Sequence, residues 1–223
     1  MTRFHELVNK HPNCAVIAVF LLPGGAWMFE KELFAAANKY PDKQFLVCCF
    51  ESVRAKFRGS EAPVGNPHLS VRHGRQGNVH FVYLNGKFSI SNRTLETYFG
   101  HQPELVSSAL TSPRFVWADF CGDPSAENLH TITQQLRHGD MIYSTFNLQW
   151  RQRKLGSVTP SLALMADYQS SQQRGQVVTQ KVRQLAYSAA SYRGCGAYTL
   201  DHWVYKGNVV PMVTSGFEVC SRG

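Results

Sequence analysis

Two apolar stretches, Ala15-Val-Ile-Ala-Val-Phe-Leu-Leu-Pro-Gly-Gly25 and Gln44-Phe-Leu-Val-Cys-Cys-Phe-Glu51, decide the fold. Each is apolar without alternation, which is how a strand buried on both faces reads when helices cover a parallel sheet. Between them, Trp27 to Tyr40 places Phe29, Leu33, Ala36 and Tyr40 on one helical face, carries Glu30 and Glu32 in its first turns and stops at Pro41. Strand, glycine turn, helix and strand make one βαβ unit. The first run is too short to span a bilayer, a polar stretch from Glu6 to His11 precedes it, and no small-x-small cleavage site follows. It is therefore expected to be a strand and not a targeting segment.

Working outward, Phe4, Leu7 and Val8 are spaced for a short helix ahead of the first strand. Ser52 is placed to cap a short basic helix with Arg54, Lys56 and Arg58, and Gly59 to Asn78, rich in Gly, Pro, Ser and Arg, is expected to be a long loop. Val79 to Leu84 reads as a strand, after which Asn85-Gly86 either turns into a hairpin with Lys87 to Ser91 or ends the strand. Helical turns are expected at 94–99 and 103–110, a strand from Pro113 to Asp119, a helix marked by Leu129, Ile132 and Leu136 ending at Gly139, and a strand from Met141 to Phe146. A polar loop follows through Lys154. A long helix is expected from Val177 to Tyr192, and a closing hairpin from Ala197 to Tyr205 and Val209 to Val219.

The bulk properties agree with a globular chain. Hydrophobic residues make up 43% and charged residues 17% of 223 residues, which fits one domain over 1–223. The formal charge is +8, an excess that favours an anionic partner, nucleic acid being the commonest. The six cysteines form no CxxC pair and have no His pair at finger-like spacing, so no metal site is expected. Cys48 and Cys49 sit in an apolar run as small hydrophobes, and this usage suits a reducing, intracellular setting, cytoplasmic or nuclear.

The alternation of strands and helices, closed by a terminal hairpin, resembles the class I (Rossmann-like) S-adenosylmethionine-dependent methyltransferase superfamily, as a divergent member. The resemblance covers most of the chain and rests on element order, with the hairpin as the discriminating piece. It implies an α/β fold with a mostly parallel sheet flanked by helices and a C-terminal antiparallel β-hairpin, and S-adenosylmethionine as cofactor. Three positions match the family's ligand pattern. Pro23, Gly24 and Gly25 stand where the glycine loop follows the first strand, although the acidic-x-Gly-x-Gly-x-Gly signature is absent. Glu51 closes the second strand, 26 positions after Gly25, where an acidic residue accepts hydrogen bonds from ribose hydroxyls. Asp119 and Phe120 follow the strand where the family places cofactor contacts and its catalytic motif.

The acceptor chemistry is less defined. Asp119-Phe120-Cys121-Gly122 lacks the two prolines of amino-methylating enzymes, and Cys121 lacks the Pro-Cys context of a C5 nucleophile. Asp119, Lys154 and Glu218 supply parts of a ribose-methylating Lys-Asp-Lys-Glu cluster, but its first lysine has no counterpart. Two basic clusters in expected loops are candidates for nucleic-acid contact. One holds Arg72 and Arg75; the other holds Arg151, Arg153 and Lys154 beside Trp150, whose ring can stack on a base. The expected function is a nucleic-acid methyltransferase with Asp119 as catalytic residue, acting within a larger protein assembly. The alternatives are an inactive scaffold of the same fold that binds nucleic acid or a protein, and a Rossmann-like enzyme using another nucleotide.

Overall fold

A computed structural model describes residues 2–22, 28–51, 71–85, 88–120, 131–133, 135–148, 171–206 and 211–221. The chain divides into two compact units, Met1–Trp117 and Ala118–Gly223.

The first unit contains α1 (Thr2–Lys10), β1 (Val16–Leu22), α2 (Met28–Lys39), β2 (Gln44–Glu51), β3 (Val71–Gln76), β4 (Val79–Asn85), α3 (Asn92–Phe99), α4 (Pro103–Thr111) and most of β5 (Arg114–Asp119). Its strands lie in the order β3-β4-β2-β1-β5. β1 pairs parallel with β2, and β2 pairs parallel with β4, so Ala18, Leu46 and His80 stand in one row and Leu21, Cys49 and Tyr83 in another. Val16 to Phe20 and Phe45 to Val47 are essentially inaccessible, as both-face burial requires. On one face Phe45 meets Phe4 of α1, and Leu33 and Phe34 of α2 lie against Val47, Cys49 and Phe81. On the other face Phe50 meets Phe88 edge-on in the segment leading to α3, whose N-terminus is capped by the Ser91 hydroxyl accepting from the Thr94 N–H at 3.3 Å.

Buried polar groups in this unit fasten the loops at the strands' amino ends. Lys43 is 4% exposed. Its Nζ donates to the carbonyls of Pro12 and Cys14 at 2.8 Å each and, more weakly, to that of His11, using all three ammonium protons. The Asn78 amide donates to the carbonyls of Ala37, Tyr40 and Lys43, so it closes the end of α2 and the turn into β2 together. Arg114, fully buried at the start of β5, donates to the Ile90 carbonyl at 2.6 Å.

Several expectations need correction. Val71 to Gln76, expected in the long loop, is a strand: β3 pairs antiparallel with β4 through a turn in which Gly77 has φ +59°. Its sequence, VRHGRQ, has no apolar alternation, so its pairing comes from the neighbouring backbone and not from a buried side-chain pattern. The hairpin of β4 thus lies before it. Residues 88–91 are not strand, although Phe88 and Ile90 are buried. Leu136 is buried but not helical, because Gln135 takes a left-handed backbone (φ 55°). The expected short helix after Ser52 lies outside the described residues.

The second unit holds the end of β5, β6 (Met141–Asn147), α5 (Ser171–Ser191), β7 (Cys195–Lys206) and β8 (Pro211–Ser221). β8 lies between β6 and β7 and is antiparallel to both, so the closing hairpin folds with its last strand inside. Residues Met212 to Phe217 are accordingly buried. Gly216 has a packing reason: a Cβ there would run into the Tyr143 ring, itself 1% exposed. α5 crosses the hairpin closely at Gly175, where a Cβ would run into Val204. The fold class is α/β and Rossmann-like: parallel strands covered by helices, then a C-terminal antiparallel hairpin.

Three substitutions test this packing. Lys43→Met removes charge-assisted hydrogen bonds to loop carbonyls and is expected to lower unfolding stability by about 2 kcal/mol in urea titration. Gly216→Ala forces the Tyr143 ring out of place and is expected to cost about 1–3 kcal/mol, while Gly77→Ala meets no neighbouring atom and is expected to cost about 1 kcal/mol through its left-handed backbone alone.

Candidate functional site

In the first unit, parallel pairing brings the carboxyl ends of β1, β2 and β4 to one edge. These ends are Leu22, Glu51 and Asn85, with Glu51 in register with Asn85. β1 is flanked by β2 on one side and β5 on the other, so the strand order reverses direction there. Such a switch point at the carboxyl edge is where open α/β sheets bind ligands. Glu51 is the last residue of β2, as the sequence implied, and Asn85, read only as a turn residue, is the last residue of β4. Pro23, Gly24 and Gly25 lie outside the described residues, and α2 begins three positions after Gly25, at Met28.

In the second unit, Asp119 ends β5 and is half-buried. The next residue turns back on the strand, the Phe120 N–H donating to the Ala118 carbonyl at 3.1 Å. Its ring stacks on Phe146 of β6, with centroids 5.4 Å apart and planes 16° from parallel. Phe120 is thereby anchored and fixes where the chain leaves Asp119. Cys121 and Lys154 lie outside the described residues. Glu218 stands in β8 opposite Met141 and Tyr198.

The basic clusters fare differently. Arg72 and Arg75 stand on edge strand β3, in register with Tyr83 and His80, and not in a loop. Arg75 is exposed and its Nε donates to the Gly77 carbonyl at 2.9 Å. Trp150, Arg151, Arg153 and Lys154 lie outside the described residues.

One polar constellation was missed. The Thr179 hydroxyl of α5 lies 2.6 Å from Nδ1 of His202 and 2.7 Å from the Ser215 hydroxyl. Beside it in β8, Thr214 and Thr145 share a hydrogen bond at 2.9 Å. The signal was the pair Thr214-Ser215 inside an otherwise apolar strand. These hydrogen bonds join α5 to the hairpin. Burial lowers the His202 pKa, and its Nε2 has no hydrogen-bond partner among the described residues. His80 is lowered as well, first by burial, then by Arg75 and His101, while its Nε2 lies 2.9 Å from the Gln44 side-chain oxygen.

Among the described residues no group of His, Cys, Asp and Glu is placed to hold a metal ion, and no helix is long and apolar enough to cross a membrane. Cys48 and Cys49 are buried free thiols, and burial, then the neighbouring Cys49, pushes the Cys48 thiol up, which leaves it inert as a nucleophile.

No protein-family model and no curated protein matches the sequence. Solved structures similar to it include Trm1 from Pyrococcus horikoshii in complex with S-adenosyl-L-methionine, at 12% identity and a TM-score of 0.43, covering 96% of this chain and 52% of that one. Another is the 16S rRNA (adenine(1408)-N(1))-methyltransferase from Catenulisporales acidiphilia, at 9% identity and a TM-score of 0.36, covering 97% and 91%. The chain thus spans about half the length of the first of these. The chain's own topology is Rossmann-like: parallel strands reversing order at β1, and a terminal hairpin whose last strand is the inner one.

Because the folded pKa of both His202 and His80 lies below the unfolded value near 6.5, the unfolded chain takes up protons first as pH falls. Stability is expected to be full above about pH 6.5 and to decline below it. Urea titrations across this range should show a shallower acid loss for His202→Gln; an unchanged slope assigns the loss elsewhere.

Proposed function

We propose that the chain is an S-adenosylmethionine-dependent methyltransferase acting on nucleic acid. The observation that carries the reading is Glu51, a carboxylate at the carboxyl end of β2, beside the strand where the order reverses. A carboxylate there accepts from two vicinal ribose hydroxyls at once, which a neutral side chain does less well. The residues present suit such a group: Pro23-Gly24-Gly25 joins β1 to α2 without side-chain bulk at its glycines, and Glu51 ends the adjacent strand.

S-adenosylmethionine would supply a methyl group on a positively charged sulfur, transferred to a nucleophilic atom of the acceptor. Phe120, held by its stack on Phe146, offers an apolar edge to a nucleoside. Asp119 is the residue assigned to orient the acceptor and take its proton as the methyl group arrives. The proposed target is nucleic acid because the chain carries +8 and displays Arg75 on an exposed edge strand. Arg72, Trp150, Arg151, Arg153 and Lys154 are assigned to the same partner, and a further protein subunit completes the proposed assembly.

Isothermal titration with S-adenosylmethionine tests the reading. Glu51→Ala is expected to weaken binding by about tenfold or more, the loss of hydrogen bonds to a charged acceptor, with the melting curve unchanged. No heat of binding at millimolar cofactor removes the enzyme reading in favour of a scaffold.

A further inference from the structure

All the exposed large hydrophobic residues among those described are aromatic and lie on one continuous segment. They are Tyr187 and Tyr192 at the end of α5 and just beyond it, and Tyr198, Trp203 and Tyr205 on β7. A surface that only solvates itself has no need of three half-exposed rings on one strand.

Their arrangement depends on a defect in β7. The register runs from Tyr198 opposite Glu218 and Thr199 opposite Phe217 to Asp201 opposite Gly216, so Leu200 is an extra residue. Tyr198 and Trp203 are five positions apart and in a regular strand would face opposite ways. With the bulge, Tyr198, Asp201, Trp203 and Tyr205 stand opposite Glu218, Gly216, Thr214 and Met212, alternate residues of β8, and so share one face. The opposite face is taken by α5, through His202 on Thr179 and Val204 beside Gly175.

On this face the rings pack sideways against β6. Trp203 stacks on Tyr143 of β6, centroids 5.9 Å apart and planes 12° from parallel. The Tyr143 hydroxyl donates to Asp201 at 2.6 Å, which ties down one of two carboxylates on this face; Glu218, opposite Tyr198, is the other. Tyr198, Trp203 and Tyr205 remain 57%, 44% and 44% exposed. The segment 171–206 carries five Lys or Arg residues, three of them on α5 behind the opposite face, and exposed Arg193 and Lys206 stand at the two ends of β7.

We propose that this face of β7 is a stacking platform for single-stranded nucleic acid, with bases on Tyr198, Trp203 and Tyr205 and phosphates drawn to the basic groups flanking the strand. Rings with a polar edge, spaced along a strand with a cation at each end in a chain of charge +8, fit bases and phosphates. Trp203 and Tyr205 are about 7 Å apart along the strand, leaving room for one base on each ring. This inference rests on the nucleic-acid part of the proposed function but needs none of the cofactor chemistry.

The test uses the full chain and a fluorescein-labelled twelve-nucleotide oligouridylate, with a duplex of equal length alongside. Binding is expected to favour the single strand, to weaken with added salt, and to fall at least about fivefold for each of Trp203→Leu, Tyr198→Ser and Tyr205→Ser. Trp203→Tyr, which keeps a stacking ring, should restore most of the affinity, separating stacking from any loss of folding. Equal binding of the duplex, variants that bind like the unaltered chain, or no binding at low salt overturns the platform. So does a dimer that dissociates on Trp203→Leu, which would make the face a contact between copies. A chain that binds the oligonucleotide through these rings but gives no heat with S-adenosylmethionine loses the methyltransferase reading alone.

Discussion

Parallel pairing of β1, β2 and β4 is the constraint on which the first unit depends. A parallel strand returns to the sheet only through a crossover, and the crossover lays a helix on the sheet's face. Both faces are then dry, so residues such as Phe45, Leu46 and Val47 must all be apolar. Parallel pairing also gathers the carboxyl ends of these strands at one edge, so Glu51 and Asn85 come into register there without any direct selection for contact between them.

The same crossovers leave loop carbonyls stranded at the opposite, amino edge. Lys43 and Asn78 answer this by donating from side chains into clusters of carbonyls on either side of β2's start. Water would serve if these groups were exposed; being buried, they need internal donors. Arg114 does the same at the start of β5, donating to the Ile90 carbonyl.

The second unit solves a different problem. β8 is buried on both faces between antiparallel neighbours, yet it carries Thr214, Ser215 and Gly216 at its centre. Thr214 is matched by Thr145, Ser215 by Thr179, and Gly216 by the Tyr143 ring that fills its place. Tyr143 in turn stacks beside Trp203 on the same face. A bulge of one residue in β7 then determines which rings reach solvent.

The long elements were legible because they announce themselves. Runs such as Val16 to Leu22 and Gln44 to Phe50 admit little but a doubly buried strand, and the periodicity of 177–192 admits only a helix. Glu51 and Asp119 were legible for the same reason, as the charged residues that end such runs. β3 was not, since an edge strand needs no apolar pattern to pair through its backbone, and with it went the placement of Arg72 and Arg75. The Thr179–His202–Ser215 cluster joins residues up to 36 positions apart, which no local pattern records. Sequence by itself determined where the chain must be buried, because the hydrophobic effect acts residue by residue. Only the tertiary structure decided which side chains share a face, because the bulge at Leu200 and the register of β7 on β8 are properties of the pairing between strands.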